Sequence, residues 1–362
     1  MLDFIGKMFG GRLRSNLSVP ILDGVFKPNN LLEQADVVLE RPGLEDMALA
    51  PDGTLHLARG PELLALEAGG ETRLVRSFDG GITALAFLAD GRWVVGLGDR
   101  VEIEGRAAPV TEVAGHPFMA ITALSPTRDG RLLICDGSSR HPADQWQYDL
   151  MDKQPTGRLV ALRPASGEGE VLAGRLGWPY GVHHDVGGAI LFSESWRHRL
   201  RMVGSGDATA ELPGYPARIT HTADGGFWLS LFSGRMQIVE FVLSENGFRR
   251  DMMATIDPKY WISPAYASGE DFLEPLQSGG VKQMGILKPW APPRSYGLAV
   301  RYSADRLPLL SIHSRVGGRN HGIATTLERG DDVFALSKGA GRLLRLSLEA
   351  IRAECAIAGG GQ

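Results

Sequence analysis

The feature that most constrains this chain is a short pattern that occurs six times: a small or polar pair followed by alternating apolar residues. The copies begin at Glu45-Asp46, Thr83-Ala84, Thr122-Ala123, Tyr180-Gly181, Ala217-Arg218 and His321-Gly322. Most run into an Asp-Gly, Gly-Gly or Arg-Gly turn and then a second alternating run. Pro51-Asp52-Gly53 precedes Thr54 to Ala58, Asp129-Gly130 precedes Arg131 to Cys135, and Ala223-Asp224-Gly225-Gly226 precedes Phe227 to Leu231. Glycine supplies the positive φ that a tight turn requires, so such a turn between alternating runs marks an antiparallel hairpin.

The copies are 38, 39, 58, 37 and 104 residues apart. Blades of a four-stranded propeller repeat at about 40–50 residues. Three intervals fit a blade directly, and the two long ones imply insertions. The sequence therefore predicts an all-β, six-bladed β-propeller with a partly helical lid insertion in blade five. Residues 1–36 read as an N-terminal extension and 37–362 as a single propeller. After the sixth copy the chain holds only Asp332 to Leu336 and Arg342 to Leu348 as further strands. Val37 to Glu40 is expected to return as the missing outer strand, closing the ring and removing exposed edges. If each pair opens an innermost strand, all six pairs surround the axis on one face. The loops between second and third strands open on that same face. Both insertions fall in such loops, at about 138–156 in blade three and 233–293 in blade five. The second carries Tyr260-Trp261, Tyr266, Phe272 and Lys288-Pro289-Trp290-Ala291-Pro292-Pro293, aromatics that suit an ordered lid.

Composition agrees and removes several function classes. With 47 Gly, 21 Pro and 7% aromatics, the chain suits many short strands joined by tight turns. A net charge of −4 without a Lys/Arg block offers no footprint for nucleic acid. Cys135 and Cys355 cannot build a disulfide framework; they read as buried thiols, with a single bridge between them the alternative. The apolar residues of Met1 to Ser15 are broken by Gly6, Gly10 and Gly11, so the stretch reads as a poor signal peptide and no transmembrane segment is expected there. A weak membrane-surface contact there remains an alternative, and the cytoplasm is the expected location. No phosphate loop, zinc spacing or Ser/Cys nucleophile motif appears.

Asp136-Gly137-Ser138-Ser139, Pro155-Thr156-Gly157-Arg158-Leu159 and Phe192-Ser193-Glu194-Ser195-Trp196-Arg197-His198-Arg199-Leu200 resemble the strictosidine synthase-like propellers. Leu212-Pro213-Gly214-Tyr215-Pro216 and Gly226-Phe227-Trp228-Leu229 extend the resemblance, so that it covers about 120–231 in order. Leu44-Glu45-Asp46-Met47 is similar to the Glu-Asp start of the paraoxonase-like lactonases. The resemblance implies an axial Ca²⁺ held by a Glu and several Asn/Asp from the innermost strands, as a hard dication wants six to eight oxygens. Glu45 stands where the family's Glu would. The family's Asn-Asp, Asn-Gly and Asp-Asn pairs align with Thr122-Ala123, Tyr180-Gly181 and Ala217-Arg218, so three of four ligand-bearing positions are changed. Arg218 also brings a permanent positive charge. The lactonases' axial His falls near Thr83, and the glutamate of the plant Pictet–Spengler enzyme near Ile323, so strictosidine synthesis is not expected. The Glu194-Ser195 pair belongs to the structural signature and is not a nucleophile elbow.

The replaced positions suggest a different site. Glu45, His321 and Tyr180 are its candidate catalytic residues, with Glu45 and His321 paired so that the carboxylate orients the imidazole. Arg218 is a candidate clamp for a substrate carboxylate, with Asp46, Thr83, Thr122 and Trp261 completing the substrate-binding set. No cofactor is expected; Ca²⁺, with Glu45 as a ligand, is the alternative. A plainer reading has Arg218 and Glu45 forming a salt bridge that plugs the channel. His183 and His184, on opposite faces by strand alternation, and His221 are expected to be structural. The expected function is hydrolysis of a lactone or ester on a small, partly apolar, anionic molecule. A non-catalytic small-molecule or partner-binding propeller and a Ca²⁺-dependent lactonase with atypical ligands are the alternatives.

Overall fold

A computed structural model describes residues 19–269, 271–275 and 294–359, together with the short strands Lys282–Gln283 and Ile286–Leu287. The Met1 to Ser15 run and the Lys288 to Pro293 run lie outside the described residues.

Six sheets follow one another around an axis, each opening with one of the six pairs or beside it. Blade one uses Leu44–Leu49, Leu55–Arg59, Glu62–Leu66 and Thr72–Ser77 in sequence order. Blades three and four are built the same way, from Ile121–Pro126 to Gly169–Leu176 and from Pro179–His184 to Gly206–Thr209. Blade five starts with Gly214–His221 and Phe227–Gly234, then resumes after its insertion at Leu298–Tyr302 and Pro308–His313. Blade two departs from the pattern. Its sheet has three strands, and the outer place is taken by a bridge between Val101 and Val110. Blade six takes Ile323–Arg329, Asp332–Ser337 and Arg342–Ser347 from the C-terminal side and Asp36–Glu40 from the N-terminal side. Asp36 pairs with Arg345 and Glu40 with Arg342, which closes the ring as the sequence predicts.

Alternation along each strand places apolar residues on both faces, and each face packs on the next blade. Every neighbouring pair of blades shares its own apolar cluster. Ala58, Leu63, Val95 and Trp93 join blades one and two, and Leu57, Phe334 and Leu336 join blades six and one. A further cluster is not between blades. Trp146, Leu150 and Met151 of the blade-three insertion meet Val242, Met252 and Trp261 of the blade-five insertion over Tyr180, Tyr215 and Phe232. The helices of these insertions are Trp146–Asp152, Gln237–Ser244 and Asn246–Thr255. The two insertions thus form one capping layer on the face where the six pairs open. Cys135 and Cys355 are free thiols. No helix among the described residues is long and apolar enough to cross a membrane.

Candidate functional site at the tunnel mouth

The opening residues of the innermost strands do converge, but bulges decide which of each pair reaches the axis. Pairing register shifts between Leu44 and Asp46, Ile121 and Ala123, Pro179 and Val182, Pro216 and Ile219, and Ile323 and Thr325. An extra residue at such a point re-aims the side chains around it.

Asp46 and Arg218 form the floor. One Asp46 oxygen accepts from Arg218 Nε and Nη2 at 3.1 and 2.9 Å and from the Leu85 amide at 2.9 Å. The other accepts from Thr325 Oγ1 at 2.7 Å and the Met47 amide at 2.9 Å. Arg218 also donates to the carbonyls of Thr83 (2.8 Å) and Tyr180 (3.3 Å). This pair is buried and ties blades one, two, four, five and six together across the axis. The Arg218 guanidinium, which the sequence reading assigned to a substrate carboxylate, therefore faces a carboxylate of the protein itself. Burial works to lower its pKa, but Asp46, Tyr180 and Cys135 together outweigh this and the net shift is upward. The plainer reading of a salt bridge in the channel is correct in kind, with Asp46 rather than Glu45 as the partner.

Above that floor the chemistry changes. Glu45 pairs with Lys338, a residue of the turn between the second and third strands of blade six. Their side chains are 30% and 22% exposed, whereas those of Asp46 and Arg218 are 3% and 8% exposed. The Lys338 ammonium lies 4.6 Å from the centre of the Tyr266 ring, and the Tyr266 and Tyr180 hydroxyls are 3.0 Å apart. Burial pushes the Tyr266 phenol well above its ordinary pKa, with Tyr180 and Glu45 adding to the effect, so it stays protonated. Burial opposes the charge of Lys338, yet Tyr180 and Glu45 hold its pKa above the usual lysine value. Lys338 and Tyr266 were not singled out in the sequence as part of this group. Both sit in irregular segments, where no periodicity signals which way a side chain points.

The remaining expected residues have other partners. His321 lies at 2.7 Å from Ser295 Oγ and 3.0 Å from the Arg315 carbonyl oxygen, so the structure does not form the expected Glu45–His321 pair. Thr83 Oγ1 donates to the Ile121 carbonyl at 2.6 Å and Thr122 Oγ1 to the Pro179 carbonyl at 2.5 Å, each clipping its blade to the next. Trp261 is fully buried in the cap, its indole N–H donating to the Ile256 carbonyl at 2.9 Å. His183 and His184 open to different recesses, as alternation requires, and His221 lies against both, its ring centre 4.3 and 4.9 Å from theirs.

The signature residues of the sequence resemblance are structural. Asp136 accepts from Arg158 Nε at 3.0 Å and the Ala120 amide at 2.9 Å. Buried Glu194 accepts from Arg197, Arg199 and the Gly177 amide, while Ser195 Oγ donates to the Pro216 carbonyl. The surroundings of Asp46 and Glu45 bear on the Ca²⁺ alternative. An axial site would need six to eight oxygens, yet Arg218 and Lys338 occupy the surroundings of both carboxylates. Among the described residues, no group of three or more His, Cys, Asp or Glu side chains is disposed to hold a metal.

These features define a six-bladed propeller with a capped, polar tunnel mouth on one face and a sealed axis beneath it. In comparison with known proteins, the chain is similar to strictosidine synthase-like proteins and adipocyte plasma membrane-associated proteins. It is 27% identical to Strictosidine synthase-like 13 of Arabidopsis thaliana over 157 residues, 41% of this chain and 39% of that protein. It is 26% identical to the adipocyte plasma membrane-associated protein of Bos taurus over 272 residues, 65% of this chain and 66% of the relative. The chain thus spans between two fifths and two thirds of the length of these relatives. No protein-family model matches it. Among solved structures, a gluconolactonase from Xanthomonas campestris superposes with a TM-score of 0.54 at 12% identity, covering 86% of this chain and 88% of that one. A luciferin-regenerating enzyme gives 0.53 at 13% identity, covering 86% and 93%. At such identities the likeness is one of fold.

Proposed function

We propose that this protein hydrolyses a lactone or ester of a small organic molecule at the tunnel mouth, without an axial metal. The observation that carries the reading is the grouping of partly exposed Glu45 and Lys338 with Tyr266 and the buried Tyr180. Two tyrosine hydroxyls share one hydrogen bond, so one O–H remains to donate outward. Aimed at a substrate carbonyl oxygen, that donor stabilises the oxyanion as it forms. The Lys338 ammonium adds positive charge at the same place. Glu45 is the group that accepts a proton from the attacking water, in the manner of a general base. Arg218 and Asp46 hold this group in place from below and do not touch substrate. A gluconolactonase shares the fold, and fold alone does not supply the chemistry.

The test is turnover of a panel of lactones and aryl esters, with and without chelator. Glu45→Gln is expected to lower kcat by roughly 10²–10⁴-fold, the usual contribution of a general base, while chelator leaves the rate unchanged. Undiminished turnover in Glu45→Gln would remove the axial mechanism, and loss of turnover with chelator would restore a metal.

The Asp46–Arg218 floor favours a second reading, a non-catalytic small-molecule binding propeller, because the two charged groups at the axis are buried and spent on each other. Saturable ligand binding by a protein that turns over none of the panel would select it.

A further inference from the structure

We infer that Ser268, Ser295 and His321 form a serine acyl-transfer centre distinct from the axial group, with Ser268 as nucleophile toward a small ester. Ser268 Oγ lies 2.7 Å from Ser295 Oγ, which lies 2.7 Å from His321 Nδ1. On the far side of the ring, Nε2 is 3.0 Å from the Arg315 carbonyl oxygen. A carbonyl only accepts, so Nε2 carries the proton and Nδ1 presents its lone pair. Ser295 then donates to Nδ1, and its oxygen accepts from the Ser268 hydroxyl. The direction of every bond in the chain is fixed by the backbone carbonyl at its end. This is the logic of an activated nucleophile: a hydroxyl, a base, and a third group that fixes the base's tautomer.

Burial and access are graded along the chain as that chemistry requires. His321 and Ser295 are buried, while Ser268 is partly exposed and lines a cavity of about 330 Å³. Burial lowers the His321 pKa, against the Arg315 carbonyl and Glu33, which act to raise it, so the imidazole is neutral and able to accept a proton. The Glu33 carboxylate pins the loop that carries Arg315 and His321. It accepts from Ser314 Oγ at 2.5 Å and the Asn320 and Arg319 amides at 2.9 and 3.1 Å. On the other side, the Tyr266 carbonyl packs so closely over Gly322 and Gly339 that a Cβ at either would collide with it, which fixes the backbone two residues before Ser268. Glu40, Arg319 and Arg342 also line the cavity. Arg342 is paired with Glu40, whereas the Arg319 guanidinium makes no ion pair among the described residues. The cavity therefore suits a short acyl ester that carries a negative group.

In the acylation step Ser268 Oγ bonds to the ester carbonyl carbon. Its proton passes to Ser295 Oγ as the Ser295 proton passes to His321 Nδ1. The carbonyl–alkoxy bond then breaks, and the same chain returns a proton to the leaving alcohol. Water repeats the sequence on the acyl-serine, releasing the acid and restoring Ser268. Sequence reading found no nucleophile motif because the three residues lie 26 and 27 positions apart, in the cap and at the start of blade six.

The centre stands apart from the axial reading, and either can fail alone. The test is labelling of the full chain with an alkyl fluorophosphonate, followed by peptide mass spectrometry. One adduct is expected, on Ser268, and none in Ser268→Ala. Ser295→Ala and His321→Gln are expected to slow labelling by roughly 10²-fold or more, at melting temperatures recorded in parallel. Should His321→Gln fail to fold, the pH profile of the wild type answers the same question. Glu33 acts on the imidazole from one side, and Glu40, Arg319 and Arg342 share the cavity that it lines. Labelling that falls as pH drops below the ordinary histidine range of about 6.5 supports the relay, while a rate that stays level down to the pH at which the fold is lost overturns it, since burial moves the His321 titration below that range. No adduct on the wild type, an adduct elsewhere, or full labelling of Ser295→Ala would overturn it equally.

Discussion

Arg218 reaches across the tunnel to a buried Asp46 carboxylate that accepts from three other donors besides the guanidinium. Removing one partner of such a pair leaves a buried charge uncompensated, which costs about 3–5 kcal/mol. Arg218→Ala is therefore expected to lower unfolding free energy by that amount in a denaturant titration. A variant of unchanged stability would show that Asp46 finds another cation or takes up a proton. The sequence reading assigned Arg218 to a substrate carboxylate and Glu45 to the axis, and the difference lies in one residue of register, which puts Asp46 under the guanidinium. That Glu45, Asp46, Tyr180 and Arg218 approach the axis was legible, since tight turns and period-two patterning locate the strand starts. Which of two consecutive residues points inward was not legible. Bulges at the first residues of five innermost strands break the alternation at that point, and nothing in composition announces them.

At the scale of elements, the two insertions behave as one body. Trp261 is wholly buried, its ring centre 4.7 Å from that of Tyr148 in the other insertion, and Gln147 reaches Ser263 at 2.8 Å. The sequence identified both segments as long and the second as aromatic, which was enough to expect an ordered lid from the second. Phe272, counted with those aromatics, is instead 92% exposed. The joining of the two segments was not legible, because contact between segments a hundred residues apart leaves no local pattern. Trp261→Ala removes a large ring from this cluster at a cost of about 3–5 kcal/mol. The loss should be local. Amide exchange is expected to quicken in 146–152 and 237–263 while the blade strands keep their protection. Uniform acceleration through the blades would mean that cap and ring unfold as a single unit.

For the molecule as a whole, the ring, its blade count and its closure by Val37 to Glu40 were readable from spacing alone, because closure is what a chain short of one outer strand must do. The pH response of that ring follows from where its histidines lie. Seven of the nine, His56, His183, His184, His198, His221, His313 and His321, are held below their ordinary pKa, and burial is the leading cause in each. For His183 and His313 the value falls to about 3, and for His221 to about 4. His183 and His221 face each other at the blade-four to blade-five seam, where a proton on one also opposes a proton on the other. An unfolded histidine titrates near pH ~6.5. Below that value the unfolded chain binds protons that the folded chain refuses, so unfolding gains from each drop in pH. Stability is expected to be level above about pH 7 and to fall as pH decreases from about 6.5 toward 4. Each fully suppressed histidine contributes up to about 1.4 kcal/mol per pH unit to that slope. Denaturant midpoints measured across this range check the claim directly. Replacing His183 and His221 together with Gln, which cannot take up a proton there, should flatten the curve. A midpoint that holds steady down to about pH 5 would mean that these rings meet water or a carboxylate before the ring of blades opens.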